Sequence, residues 1–162
     1  MTTQTRKIAI VTGASTGIGA TVAERLAKDG YTVVVNYAGN TVAAEALVTK
    51  IKAAGGQAIT AQADVANPDA VRRMFDSTET AFGGVDVLIN NAGIMTPKPI
   101  ADSDDALFLD GKSKEAIAGY AKLPPLERLG QPEDIANVIS FLVGPEGGWI
   151  NGQVLRANGG II

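Results

Sequence analysis

The sequence predicts an α/β domain in which a parallel β-sheet is covered by helices on both faces. Three observations carry this. Short apolar runs alternate with amphipathic stretches of roughly 12 to 15 residues through the first half of the chain. Gly-Gly or Asp-Gly pairs close those stretches. A glycine-rich turn joins the first run to the first stretch.

In order along the chain, Lys7 to Val11 is a short apolar run that reads as a buried strand. The turn Thr12 to Gly19 follows. Ile18, Val22 and Leu26 recur every four residues on one face of a helix that stops at Asp29-Gly30. Tyr31 to Asn36 is β-branched and compact, a second strand. Thr41 to Ala54 places Val42, Leu47, Val48 and Ile51 at mostly helical spacing, and Gly55-Gly56 ends it. Gln57 to Gln62 is a weaker strand. Asn67-Pro68 starts a helix, with Asn as cap and Pro at its first position. Val71, Met74, Phe75, Thr78 and Phe82 form its stripe, closed by Gly83-Gly84. Val85 to Ile89 is a fourth buried strand. Strands alternating with helices imply right-handed crossovers.

The second half reads differently. Thr96 to Gly111 supports no element. Ser113 to Ala121 is a short helix ended by Pro124-Pro125. Gln131-Pro132-Glu133-Asp134 is a strong helix start, with two acids facing the positive end of the dipole. Ile135, Val138, Ile139 and Leu142 follow at i, i+3, i+4 and i+7. Gly147-Gly148 turns the chain, and Gly152 to Ala157 reads as a final strand.

Composition narrows the function. The 162 residues suit one domain, 1–162, and include no cysteine and no histidine. Disulfides, thiolate metal sites and histidine-based triads are therefore excluded. A net charge of −3 argues against nucleic acid or an anionic membrane as partner. No apolar run exceeds four residues, whereas a spanning helix needs about 20. The polar stretch Met1 to Lys7 lacks a signal-peptide core, so the expected location is cytoplasmic.

The turn Thr12-Gly13-Ala14-Ser15-Thr16-Gly17-Ile18-Gly19 carries the chemistry. Gly13 allows a turn that a Cβ would strain. Gly17 lets the backbone approach a pyrophosphate, and Gly19 lets the helix pack closely on the sheet. The unpaired N–H groups at the helix start favour an anion. A tight structural turn with no ligand is the alternative. The spacing, Gly-x-x-x-Gly-x-Gly, differs from the common Gly-x-Gly-x-x-Gly fingerprint.

With Asp64-Val65 after the third strand and Asn90-Asn91-Ala92-Gly93 after the fourth, this turn resembles the short-chain dehydrogenases/reductases. The β-ketoacyl-carrier-protein reductase type is the nearest likeness. Arg128 to Ala136 and Asn151-Gly152-Gln153 agree with it. The resemblance implies a Rossmann-type doubly wound sheet in three α/β/α layers. It also implies that Gly13, Ser15, Thr16, Gly17, Ile18 and Gly19 wrap the pyrophosphate. Asp64 would accept from the adenine amino group, with Val65 beside the ring and Asn90, Ala92 and Gly93 on the adenosine-ribose side. A strand-end turn carboxylate is the alternative for Asp64, and a sheet-to-loop bracket the alternative for Asn90 and Asn91.

An acid at the end of the second strand would favour NAD by repelling a 2′-phosphate. This chain has the neutral Asn36 there, so the expected cofactor is NADP, with NAD possible. No Arg or Lys stands at Thr16 or Tyr37, which leaves Asn40 and Thr41 as donors to the phosphate.

The family's chemistry uses Asn, Ser, Tyr and Lys, the last two four apart on a helix face. Val35, Thr41 and Pro124 stand four after Tyr31, Tyr37 and Tyr120. Tyr120 and Lys122 are two apart, about 200° around a helix. No catalytic residue is therefore assigned. Only 34 residues separate Gly93 from Arg128. Against the family's usual size this implies a loss of about 80 to 90 residues, two βα units. The join falls between Ala106 and Phe108.

Three explanations stand. The molecule has a segment that this sequence omits, the gene carries an internal deletion, or the final strand closes directly on the fourth in a smaller sheet. The close match of the flanking motifs favours the first two. The functional expectation is an NADP-dependent oxidoreductase of a carbonyl or alcohol substrate, with this chain inactive by itself. A non-catalytic nucleotide-binding remnant and a subunit-interaction protein are the alternatives. The resemblance further implies a homo-oligomer, dimer or tetramer, built on Pro132 to Val143 and the last strand. Met95, Pro97 and Lys98 border a substrate pocket or form a plain surface loop.

Overall fold

The computed structural model describes residues 6–93 and 112–161. Its elements are β1 (Ile8–Val11), α1 (Gly17–Lys28), β2 (Thr32–Tyr37), α2 (Thr41–Ala53), β3 (Gln57–Gln62), α3 (Pro68–Phe82), β4 (Val87–Ile89), α4 (Lys114–Ala121) and α5 (Pro132–Val143). A single 3₁₀ turn, Pro145–Gly147, follows α5. The join expected at Ala106 to Phe108 and the residues Met95, Pro97 and Lys98 lie outside the described residues.

The sheet has the order β3-β2-β1-β4, all parallel. Parallel strands need helical crossovers, which is why every strand-to-strand connection here contains one. Pleating sends alternate residues to opposite faces. Ala9, Val11, Val33 and Val35 face a layer that includes α1, α2 and α5, packing on Val22, Leu26, Leu47, Ile51 and Ala136. Ile8, Ile10 and Val34 face α3 and pack on Met74. The expected three-layer α/β/α arrangement is therefore present, with four strands. Because β1 and β2 are covered on both sides, β1 and the Val33, Val34 and Val35 centre of β2 read as unbroken apolar runs. Full burial of each such side chain is worth about 1.5–3 kcal/mol.

Helix boundaries follow local chemistry. Asn40 Oδ1 accepts from Ala43 N–H and starts α2. Asn67 Oδ1 accepts from the N–H groups of Asp69 and Ala70 and starts α3, with Pro68 in its first turn. Gly83, at φ +87°, ends α3 in the left-handed region. Ser113 Oγ accepts from Ala116 N–H and starts α4, which buries no residue.

Four expectations need correction. Gly152 to Ala157 forms no strand. Val154 is 93% exposed. A strand exists only where a neighbour completes its ladder, and the outer edge of β4 has none among the described residues. The direct closure of a final strand on β4 is thereby also overturned. The buried stripe of α2 is Ala44, Leu47, Val48 and Ile51, at i, i+3, i+4 and i+7; Val42 points to solvent. β4 begins at Val87 rather than Val85. Asp86 is held outside the strand, its Oδ2 accepting from Ile8 N–H at 2.7 Å.

The face of α5 that carries Ile135, Val138, Ile139 and Leu142 is half-buried. With Ile150 and Leu155 it lines a groove of about 550 Å³. α5 docks on α1 through polar groups as well. Arg25 bonds both Asp29 and Asn137, and Ser140 Oγ donates to Asp29 Oδ2 at 2.6 Å. Tyr31 Oη donates to Val143 O at 2.8 Å.

Candidate functional site

β1 runs to β2 and β3 on one side, and β4 lies on the other. The strand order therefore reverses between β1 and β4, where ligands of open parallel sheets bind, outside the carboxyl ends of the strands. Thr12 to Gly19 leaves β1 at that point, and Asn90 to Gly93 leaves β4 beside it.

The two loops are locked together at Thr12. Its buried hydroxyl accepts from the N–H groups of Asn91 and Ala92, at 3.0 and 2.9 Å, and donates to Ile89 O. Asn91 Nδ2 donates back to Thr12 O and Gly13 O, at 2.9 and 3.2 Å. The bracket reading therefore holds for Asn91. Gly13 has φ +61°, and a Cβ there would lie 2.8 Å from Ala92 Cα. Gly19 works differently from the sequence expectation. An added Cβ would meet Asn91 Nδ2 and Gly13 O, so its bareness brings the helix start against the turn.

What remains open is the mouth of the turn. Gly17 has φ +59°, and a Cβ added there would meet nothing within 4 Å. No side chain caps α1: Thr16 is extended and makes no cap bond, in contrast to Asn40, Asn67 and Ser113. Ser15 is half-buried, Thr16 and Gly17 are exposed, and Ile18 is half-buried. The helix dipole and first-turn amides thus point into an unfilled space, an arrangement suited to a diphosphate.

The other expected residues divide. Asn90 and Gly93 are exposed at the switch point, and Ala92 is half-buried. Asp64 and Val65 sit past the carboxyl end of β3, both exposed. Asp64 Oδ1 accepts from Ala66 N–H at 2.9 Å, so this carboxylate also builds its own turn. Asn36 is the exception. It is 1% exposed, and β2 continues past it to Tyr37. Its Oδ1 accepts from Gly13 N–H, and its Nδ2 donates to Ala61 O and Ala63 O. Both amide hydrogens are spent on the protein, so the side chain does not face a ribose. Beyond the strand, residues 38–41 lead into α2. Asn40 Oδ1 there is occupied by the α2 cap, which leaves its amide hydrogens for a ligand.

Two of the three tyrosines, Tyr31 and Tyr37, are buried. Tyr31 precedes β2, at the opposite end of the sheet. Burial, with Asp29 and Asp86 nearby, raises its pKa above the ordinary tyrosine value. Tyr37 is buried in the α1–α2 layer, and Tyr120 lies on α4 with Lys112 Nζ 5.7 Å from its ring. Among the described residues no group of three or more acids could hold a metal.

Residues 7–110 match the family model described as short chain dehydrogenase. The chain belongs to the short-chain dehydrogenase family. Residues 108–162 match a further model described as enoyl-(acyl carrier protein) reductase. An uncharacterized oxidoreductase of Methylorubrum extorquens is 30% identical over 241 aligned positions, spanning 96% of this chain and 97% of that protein. A 3-oxoacyl-(acyl-carrier-protein) reductase of Staphylococcus epidermidis is 53% identical over 88 residues, which are 54% of this chain and 36% of that protein. Among solved structures, a short-chain dehydrogenase of Burkholderia cenocepacia in complex with NADP superposes with a TM-score of 0.81 at 27% identity. It covers 98% of this chain and 99% of that one. A dehydrogenase/reductase of Sinorhizobium meliloti gives 0.80 at 25% identity, over 96% and 94% of the two chains.

Proposed function

We propose that this chain binds NADP at the Thr12–Gly19 turn, as the nucleotide-binding frame of a short-chain oxidoreductase acting on a small carbonyl or alcohol. One observation carries the reading. An uncapped helix start opens at the sheet's switch point, behind a glycine with free space where a side chain would project. The residues present fit the cofactor. The turn from Gly13 to Gly19 would hold the diphosphate, Asp64 and Val65 the adenine, and Asn90, Ala92 and Gly93 the adenosine ribose. Asn40 and Thr41 would face a 2′-phosphate. When bound, the cofactor supplies a hydride to the carbonyl carbon, or accepts one from the alcohol.

The proton-transfer residues belong, on this reading, to a segment lost near Ala106 to Phe108. The alignment with the Methylorubrum relative supports it. Its 241 positions against a chain of 162 residues leave at least 79 positions of the relative unmatched. Without that segment the chain holds cofactor and has no acid to protonate a substrate oxygen. A homo-oligomer and a cytoplasmic location complete the proposal, both supported by the family likeness.

Calorimetric titration with NADPH and NADH, on protein whose intact mass matches 162 residues, tests it. NADPH binds in preference to NADH, and no carbonyl-dependent NADPH oxidation follows. Binding of neither cofactor would remove the nucleotide assignment. Carbonyl-dependent oxidation by a chain of that mass would remove the claim that proton transfer is missing.

A further inference from the structure

We infer that Asn36 is a positioning residue. Its buried amide sets the distance between the diphosphate seat and the adenine seat, and it tunes dinucleotide affinity without touching the cofactor. The inference rests on the nucleotide reading above.

Asn36 bonds in two directions. Toward β1, its Oδ1 accepts from Gly13 N–H at 3.2 Å, and its own carbonyl accepts from Ala14 N–H at 2.8 Å. Two successive peptide groups of the glycine turn thus hang on one residue. Toward β3, Nδ2 donates to Ala61 O at 3.1 Å and to Ala63 O at 3.0 Å. Ala63 is followed directly by Asp64 and Val65. One side chain therefore spans from the turn that faces the diphosphate to the strand end that faces the adenine. Gly13 is gripped from the other side by Asn91, whose Nδ2 donates to Gly13 O. The left-handed glycine is held between two amides, each tied to a different neighbouring strand.

The sheet itself does not need this amide. The ladder between β2 and β3 is made by backbone groups from Thr32 to Tyr37 and from Gln57 to Gln62. Removing the side chain leaves that register and the Ala14 N–H to Asn36 O bond in place, and loosens Gly13 relative to Ala63 by taking away the side-chain link between them. A ligand that uses one seat is then little affected, whereas a ligand that must fill both finds them no longer fixed. Replacement by aspartate is more disruptive. A carboxylate still accepts from Gly13 N–H but sets an oxygen against the carbonyls of Ala61 and Ala63.

The test compares NADPH, which fills both seats, with adenosine 2′-monophosphate, which fills only the adenine side. Asn36→Ala and Asn36→Asp are each titrated calorimetrically after circular dichroism establishes that they are folded. The expected result is a fall of about tenfold or more in NADPH affinity, with that of adenosine 2′-monophosphate changed less than about twofold. A merely structural role lowers both alike or neither, and either outcome overturns the inference. Wild-type protein gives an independent readout by NMR, which stands even if both variants unfold. The Asn36 side-chain amide protons are protected from solvent exchange and show no nuclear Overhauser effect to bound NADPH. Rapid exchange, or a direct effect to the cofactor, overturns the inference. Wild type that fails to bind NADPH overturns the nucleotide reading and this inference together. Wild type that binds, beside variants that bind equally well, overturns this inference alone.

Discussion

Gly19→Ala sets two physical effects against each other. Gly19 lies in the first turn of α1, and its φ is not positive. Helix propensity alone therefore favours alanine by about 1 kcal/mol. The structure opposes it. The new Cβ would stand 2.5 Å from Asn91 Nδ2, 2.7 Å from Gly13 O and 3.0 Å from Ala14 Cα. The last two are main chain and cannot rotate away. Asn91 can, but only by giving up its bonds to Thr12 O and Gly13 O. Two lost hydrogen bonds cost about 2 kcal/mol. Overpacking against fixed backbone adds about 1–3 kcal/mol. After the propensity gain, the net destabilisation is about 2–4 kcal/mol, a fall in Tm of about 4–16 °C for a domain of this size. Urea and thermal unfolding followed by circular dichroism measure it. Gly17→Ala is the control: it has open space, so it should lose only the ~1–2 kcal/mol of left-handed strain. A Gly19→Ala protein as stable as wild type, or more stable, would refute the packing argument and return the decision to propensity.

Tyr31→Phe removes the donor to Val143 O and should cost about 1 kcal/mol in chemical denaturation, with NADPH affinity unchanged. Asn67→Ala removes the acceptor shared by Asp69 and Ala70 and should cost about 1 kcal/mol, again by urea unfolding. The Asp134 carboxyl is held down to about 2, first by hydrogen bonds from Arg128 and then by Gln131 N–H. A depressed pKa contributes stability above the unfolded value of about 3.9, lost as pH falls toward 2. Arg128→Ala should therefore raise the Asp134 pKa in an NMR titration and flatten the stability profile across that acid window.

Much of this architecture is readable in the residues. β1 and β2 announce themselves because a parallel strand buried on both faces has no polar alternation to blur it. α1 and α3 are bounded by Asp29-Gly30, Asn67-Pro68 and Gly83, whose backbone preferences act locally. The final strand is misread for the opposite reason. Gly152 to Ala157 has the composition of a strand, but a ladder is made by two partners, and composition reports one. The site divides the same way. Gly13, Gly17 and the helix start are legible because they depend on φ and on free amides, whereas Gly19, with ordinary φ, meets the turn and Asn91 rather than the sheet. Asn36 is not, since an asparagine spells the same whether its amide faces a ligand or its own backbone. Thr12, the hub between the loops, gave only the signal of a hydroxyl at a strand end.

The clasp between the first and last helices changes what the intervening stretch can be. Arg25, Asp29 and Tyr31 hold Asn137, Ser140 and Val143 directly, across more than a hundred residues of chain. The closing helix therefore takes its seat from the opening one and needs no relay through whatever is spliced between them. Such a molecule behaves as a frame with an exchangeable cassette. Inserts of different length grafted between Gly93 and Arg128 should leave the helix pair docked.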